Sequence, residues 1–127
     1  MDRFLIIGEK VVTGFDHIAI IVRSEDTVEF YVKLGFQEVF RKIRDYDTIV
    51  LLEGFGMKIL LFIDQNHPAR PEKPETLGLR FLALKVDKIE TTVETLGLIV
   101  DFVSYDWFGT RYAYVKDPDG NFVELHE

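Results

Sequence analysis

Apolar and polar positions in the first half of the chain predict one strand, one helix and three more strands. Residues 15–22 form a short apolar, β-branched run, which is typical of a largely buried strand. Ser24 then offers a helix-capping side chain, apolar positions follow at helical spacing, and Gly35 is suited to end the helix. Three further apolar runs predict strands at residues 36–43, 46–53 and 57–63.

The second half of the chain predicts the same order of elements. An apolar run at residues 79–86 precedes Asp87 and, three positions later, Glu90, which is the spacing of a capping box at a helix start. We expect this helix to end at Gly97. The strands predicted after it are residues 98–105, 110–116 and 121–127, with a tight Asp-Pro-Asp-Gly turn between the last two.

A constant offset of 64 positions relates the two halves. Residues 15–22 match residues 79–86, and residues 55–62 match residues 119–126. Two matched segments at one offset indicate a tandem duplication. The sequence therefore predicts an α+β fold of two tandem βαβββ modules.

The duplication also divides the chain. The predicted parts are an N-terminal extension (1–14), module one (15–63), a linker (64–76) and module two (77–127). Three of the four prolines lie in the linker at three-residue spacing, which favours a stiff, extended strap. The apolar extension predicts a small hairpin around Gly8 and Glu9 that covers a sheet edge or a partner.

Composition narrows the classes of function. With 47% hydrophobic and 29% charged residues, the 127-residue chain has an ordinary globular composition. The net charge of −7 disfavours nucleic-acid binding, because phosphate backbones are bound by clustered basic side chains. The absence of cysteine excludes disulfides, a thiolate nucleophile and zinc held by sulfur. No apolar stretch approaches the roughly 20 residues that span a bilayer, so we expect a cytoplasmic protein that does not contact membranes.

The repeated order of elements resembles the vicinal oxygen chelate superfamily, which includes glyoxalase I, extradiol dioxygenases and bleomycin resistance proteins. The segments that carry the resemblance are FDHIAIIV, GLRFLALKVDKIE and RYAYVKDPDGNFVELHE. The resemblance covers residues 15–127. It implies that the two modules curl their mixed sheets around one cavity, that the cavity binds a small molecule, and that the protein is a homodimer.

The resemblance also implies positions for a divalent metal, which in this superfamily typically binds one side chain from the first and one from the last strand of each module. The matching positions are His17, Leu60, Phe81 and Glu124. The offset of 64 relates His17 to Phe81 and Leu60 to Glu124. Because hydrocarbon side chains donate no lone pair, only His17 and Glu124 remain as ligands.

An incomplete ligand set predicts that no cofactor is tightly bound. One neutral and one anionic ligand would hold Zn²⁺, Ni²⁺ or Mn²⁺ only weakly unless other side chains join them. His126 is the best candidate, because it lies two residues beyond Glu124 on the same strand face. His67 would join only if the linker folds over the cavity. Alternatively, His17 is a hydrogen-bonded interior histidine and Glu124 forms an ion pair with Arg111.

Several residues are candidates for ligand binding. Phe81 and Leu60 would make the centre of the cavity apolar, and Trp107, Arg111 and Tyr114 lie near the turn that often contacts ligand in relatives. Arg111 is suited to bind a carboxylate or phosphate. Alternatively, Arg111 is a surface residue, and the aromatic residues pack in the core or against a dimer partner.

Three functions are consistent with these residues. The first is a small-molecule-binding protein that has lost the metal chemistry, as in bleomycin resistance proteins. The second is a metal-dependent lyase or isomerase of the lactoylglutathione lyase type, in which Glu124 coordinates the metal or moves a proton beside a carbonyl. The third is a metal-free enzyme that uses Glu124 and His17 as an acid–base pair in an apolar cavity.

Overall fold

Each half of the chain folds into a four-stranded mixed sheet and one helix, as the repeat predicts. A computed structural model describes residues 11–127, so the hairpin predicted around Gly8 and Glu9 lies outside the described residues. Module one contains β1 (Ile18–Val22), α1 (Glu25–Leu34), β2 (Gln37–Ile43), β3 (Thr48–Gly54) and β4 (Met57–Ile63). Module two contains β5 (Phe81–Lys85), α2 (Ile89–Leu96), β6 (Ser104–Tyr105), β7 (Arg111–Lys116) and β8 (Phe122–His126).

The two sheets have the same topology. Their strand orders are β1-β4-β3-β2 and β5-β8-β7-β6, and in each sheet the first strand of the module runs parallel to the last. The register repeats as well, since Ala19 pairs with Leu60 and Ala83 pairs with Glu124. Within residues 11–127 the sheets stay separate and do not close into one barrel. The predicted α+β fold of two βαβββ modules is confirmed.

Local sequence explains the bounds of α1. Ser24 is the N-cap, and its hydroxyl oxygen accepts a hydrogen bond from the backbone N–H of Asp26 at 3.3 Å. Gly35 ends the helix at a φ of 122°, a backbone conformation that residues with a Cβ rarely adopt. Both features were predicted, and both are confirmed.

The start of α2 differs from the prediction. Lys88, not Asp87, is the N-cap, and it makes no capping hydrogen bond with its side chain. The backbone N–H of Ile89 instead donates to the carboxylate of Glu127 at 2.9 Å. The predicted capping box is wrong because a carboxylate that is distant in sequence satisfies the helix start. Gly97 does end the helix, with a φ of 64°.

The strand predicted at residues 98–105 is also wrong over most of its length. Only Ser104 and Tyr105 pair with β7. Leu98 is buried in the core, and its backbone N–H donates to the carbonyl of Val93 at 2.9 Å, which closes the end of α2. Apolar character at Leu98 therefore reflects packing after a helix rather than pairing in a sheet.

The helices and one face of each sheet form the core. In module one the buried strand residues are Val22, Val50, Leu52, Ile59 and Leu61; in module two they are Ala113, Val115, Val123 and Leu125. Successive side chains along a strand point to opposite faces. Leu60 and Glu124 therefore lie on the opposite faces of their sheets, away from the core.

The turn between β7 and β8 joins the two modules. The hydroxyl of Tyr31 in α1 donates to Asp117 at 2.8 Å. The hydroxyl of Thr27 and the backbone N–H of Arg23 both donate to Asp119, at 2.7 and 2.9 Å. These contacts fix α1 of module one against the turn of module two.

Replacing Gly54 by alanine should destabilise the fold. A Cβ at this position would lie 2.9 Å from Cδ1 of Phe36, 3.2 Å from its Cα and 3.3 Å from the carbonyl oxygen of Gly35. Since two of these atoms are backbone atoms, they cannot move aside cheaply, and we expect the free energy of unfolding to fall by about 1–3 kcal/mol. Urea denaturation measures the loss. Gly14→Ala is the matched control, because a Cβ there meets nothing within 4 Å; equal stability of the two variants would contradict the prediction.

Candidate functional site

The four positions that match the superfamily's metal ligands divide evenly between the two sheets. His17 immediately precedes β1 and Leu60 lies in β4, whereas Phe81 begins β5 and Glu124 lies in β8. None of the hydrogen bonds or ion pairs among residues 11–127 joins His17 to Glu124.

Phe81 belongs to a group of packed aromatic rings. Its ring centroid lies 5.2 Å from that of Tyr114 at an interplanar angle of 67°, and Tyr114 also packs edge-on against Tyr112 and Phe122. Each such pair contributes about 0.5–1.5 kcal/mol beyond the area it buries. We call Phe81, Tyr112, Tyr114, Phe122 and the adjacent Glu124 the aromatic face of module two. The hydrocarbon ring of Phe81 therefore has aromatic packing partners and carries no donor atom.

Glu124 contacts a histidine that the sequence analysis named as a further candidate. Nδ1 of His126 lies 3.0 Å from Oε2 of Glu124, and the two atoms form a hydrogen bond in which the carboxylate accepts. The Glu124 side chain is 13% exposed. Burial, and then the charge of Glu124, raises the pKa of the neighbouring Tyr114. Tyr114 therefore stays protonated near neutral pH.

Asp106 is the residue that the sequence analysis missed. Its Oδ2 lies 3.7 Å from Nε2 of His126, so a carboxylate faces each nitrogen of this imidazole. Asp106 accepts hydrogen bonds from the backbone N–H groups of Thr110 and Phe108, both at 2.9 Å. The bond from Thr110, followed by that from Phe108 and the charge of His126, lowers the pKa of Asp106. The available signal was that Asp106 is a turn-favouring residue five positions before β7.

The other two histidines lie elsewhere. His17 is 40% exposed, and its Nδ1 lies 2.7 Å from the carboxylate of Asp16, whose pKa it lowers through this hydrogen bond. His67 lies in the linker, 3.4 Å from Asp64. Among the described residues, no three or more His, Asp or Glu side chains are arranged to hold a metal ion.

Arg111 lies on the other side of its sheet from Glu124. It forms ion pairs with Glu90 and, at 2.8 Å, with Glu127, next to the start of α2. Glu90 holds the pKa of Arg111 above its ordinary value through their hydrogen bonds. The alternative ion pair of Arg111 with Glu124 does not form, and the structure does not bring Arg111 to the aromatic face.

Trp107 and Phe108 project from the turn between β6 and β7. Their exposed fractions are 98% and 92%. Large exposed apolar side chains are typical of surfaces that a partner covers. Homodimer formation stays a prediction.

Two cavities adjoin the aromatic face. The first, which we call the strap cavity, has a volume of about 480 Å³ and lies between linker residues 70–75 and the rings of Phe81, Tyr114 and Phe122. The second has a volume of about 440 Å³ and extends along β1. Both are lined by Arg70, Arg80, Phe81, Asn121 and Phe122. Two of the predicted ligand-binding residues, Phe81 and Tyr114, line the strap cavity.

Comparison with known proteins places the chain in a family. A sequence profile of the Glyoxalase/Bleomycin resistance protein/Dioxygenase superfamily matches residues 14–125. The chain belongs to this superfamily. It is 36% identical over 120 residues to the uncharacterized protein YwkD of Bacillus subtilis (strain 168), a match that covers 87% of this chain and 94% of YwkD. It is also 36% identical over 120 residues to the uncharacterized protein YaeR of Escherichia coli (strain K12), covering 87% of this chain and 93% of YaeR.

A solved relative supports the same assignment. The glyoxalase family protein from Enterococcus faecalis is 35% identical to this chain and superposes with a TM-score of 0.83, covering 93% of this chain and 100% of that chain. The resemblance to the vicinal oxygen chelate superfamily is therefore confirmed, together with its fold. Separately, none of the helices within residues 11–127 is long and apolar enough to cross a membrane.

Proposed function

We propose that this superfamily member binds a small molecule and that its metal site is incomplete. The observation that carries the proposal is the packing of Phe81, whose ring lies edge-on to Tyr114 at 5.2 Å in a position where relatives supply a ligand. Leu60 places a second hydrocarbon side chain at a ligand position. Two of the four positions therefore offer packing surface to an organic molecule and no lone pair to a metal.

The remaining donors do not fit a tightly held divalent metal. Glu124 already accepts a hydrogen bond from Nδ1 of His126, and the other nitrogen of that histidine faces Asp106. Metal binding through Nδ1 of His126 would break its contact with Glu124. His17 is bonded to Asp16 and lies in the other module. A metal bound by so few donors would exchange readily with solvent.

Elemental analysis of the purified protein tests this proposal. After dialysis without a chelator, we expect far less than one equivalent of zinc, nickel or manganese per chain, because two side chains hold a divalent ion weakly. His17→Ala is the comparison variant and should leave the metal content unchanged. One equivalent that survives dialysis of the parent protein, and is lost in His17→Ala, would favour the metal-dependent lyase or isomerase instead.

A metal-free enzyme is the second candidate, and the Glu124–His126–Asp106 contacts favour it. The hydrogen bond of Nδ1 with Glu124 orients the imidazole, and Asp106 lies 3.7 Å from Nε2, beyond hydrogen-bond distance, which leaves Nε2 to exchange a proton with a substrate. In this arrangement His126 takes the place that the sequence analysis gave to His17. Glu124, 13% exposed beside the aromatic rings, would accept a proton from a carbon next to a carbonyl.

A further inference from the structure

We propose that the strap cavity binds an organic anion, with the anionic group at Arg70 and an apolar or aromatic body on the rings of module two. This inference rests on the proposed function and names the class of ligand. It follows from three features of the cavity: the sign of its charge, the state of its arginines and the chemistry of its floor.

The lining of the strap cavity has the opposite charge to the chain as a whole. Four cationic side chains line it (Arg70, Lys73, Arg80 and Lys116), against two carboxylates (Glu72 and Glu75). The chain carries a net charge of −7. A local excess of positive charge in an acidic protein attracts anions to this cavity and repels organic cations.

The cations of the cavity differ in how far their charge is already compensated. Arg80 is bonded to Glu75 at 2.8 Å, and Lys116 is bonded to Glu72 at 3.1 Å. Arg70 instead donates from Nη2 to the backbone carbonyl of Leu79 at 2.5 Å. No carboxylate among residues 11–127 lies within ion-pair distance of it, although its charge helps to lower the pKa of Glu75. The bond to Leu79 orients the guanidinium and leaves most of its donors for an oxyanion. Carboxylate and phosphate groups both match the planar fork of these donors.

The floor of the cavity is aromatic. Phe81, Tyr114 and Phe122 are half-buried, and Phe81 and Phe122 each pack edge-on against Tyr114, so the positions of the rings are set before any ligand arrives. Pre-ordered rings offer apolar area at little entropic cost. A volume of about 480 Å³ lies within the range of roughly 300–1,000 Å³ that small organic ligands occupy. A bare inorganic ion would leave this floor in contact with water.

Matched probes separate the anionic group from the apolar body. Isothermal titration calorimetry would compare 2-naphthylacetate and 2-naphthyl phosphate with neutral 2-naphthylacetamide, and with acetate and inorganic phosphate. We expect at least one naphthyl anion to bind roughly tenfold more tightly than the amide, because a hydrogen bond to a charged group is stronger than one to a neutral group. Acetate and phosphate should bind roughly tenfold more weakly than the corresponding naphthyl anions, because they bury no apolar area. The two naphthyl anions distinguish a carboxylate ligand from a phosphate ligand.

Two charge-neutralising variants localise the anionic group. Arg70→Gln should weaken binding of the naphthyl anion roughly tenfold and leave binding of the amide unchanged. Lys33→Gln removes the same charge from the last turn of α1, outside the cavity, and should change neither affinity. Circular dichroism confirms that each variant is folded.

The outcomes distinguish this inference from the proposed function. If the amide binds as tightly as both anions, or if Arg70→Gln behaves like Lys33→Gln, the anionic ligand class is wrong while small-molecule binding stands. If neither naphthyl anion binds at millimolar concentration to the folded protein, the inference is also overturned. The proposed incompleteness of the metal site is judged separately, by elemental analysis.

Discussion

Replacing Asp117 by alanine should lower the free energy of unfolding by about 3 kcal/mol or more, because one buried and three part-buried donor groups would lose their acceptor together. Asp117 is 4% exposed. Its carboxylate accepts from the backbone N–H groups of Asp119 and Asn121, from the side-chain amide of Asn121 and from the hydroxyl of Tyr31, at 2.8–2.9 Å. The first three bonds shape the turn between β7 and β8, and the fourth holds α1 against it. Urea denaturation followed by circular dichroism measures the loss.

Tyr31→Phe isolates the bond between the modules. This variant keeps the ring, which is 1% exposed, and removes only the hydroxyl that donates to Asp117. A hydrogen bond to a charged group contributes about 1.5–3 kcal/mol, so we expect a smaller loss than for Asp117→Ala. Tyr46→Phe is the control, because Tyr46 is 67% exposed and should tolerate the change. Equal stability of both tyrosine variants would show that the contact contributes nothing to stability.

The same contact has a definite pH dependence. Burial, reinforced by the charge of Asp117, raises the pKa of Tyr31 above its usual value of 10.0. In the unfolded chain the hydroxyl loses its proton near pH 10, whereas in the folded chain it retains the proton to higher pH. The stability from this bond is therefore fully present below pH 10 and is lost progressively above it.

The 64-position repeat made the fold predictable because repeated segments form equivalent strands, which pair in the same way in each module. A constant offset between two pairs of segments requires equivalent strands to lie in equivalent places, and the register confirms this: Ala19 faces Leu60 as Ala83 faces Glu124. The fourth strand of module one has the predicted bounds, Met57–Ile63. Its apolar run is continuous and lies between Gly56 and the linker, so local signals and tertiary packing agree.

The parts that could not be predicted depend on contacts between distant residues. The start of α2 is capped by Glu127, 38 positions away, and nothing near Asp87 signals this. Residues 98–103 have the composition of a strand, but Leu98 is buried in the core directly after the helix, and pairing with β7 begins only at Ser104. In both places a tertiary contact, a hydrogen bond at the start of α2 and core packing at Leu98, overrode the local signal.

In the candidate site, the spacing of residues along strands was the most reliable guide. His126 is expected beside Glu124 because residues two positions apart along a strand share a face. The two side chains are indeed hydrogen-bonded. By the same rule, Arg111 and Tyr114 lie on opposite faces of the sheet, because they are three positions apart along β7. Ligand binding by Arg111 and Tyr114 stays a prediction, now for side chains on opposite faces of one strand. Asp106 lies outside the strands, so no strand period could locate it.

The double substitution Phe81→His with Leu60→Glu should create tight metal binding. With His17 and Glu124 it would complete the four donors that the superfamily typically uses, two from each module. We expect Zn²⁺ or Ni²⁺ to bind at least roughly 100-fold more tightly than to the parent protein, since losing even an outer partner of a ligand typically costs 10–100-fold. Competition with a chromophoric chelator measures the affinity. The metal-free variant should be less stable, because Leu60 is half-buried and a carboxylate there loses hydration.

Two controls connect this gain to the proposed site. Phe81→Leu with Leu60→Met changes the packing and adds no oxygen or nitrogen donor, so it should not bind metal more tightly than the parent protein. Adding His17→Ala to the double variant should remove most of the gained affinity, because the fourth donor is then missing. Activity is not needed for either measurement. If the double variant binds Zn²⁺ no more tightly than the parent protein while remaining folded, the four repeat-related positions do not converge on one site. The ring of Phe81 would then have to be explained by packing with Tyr114 alone.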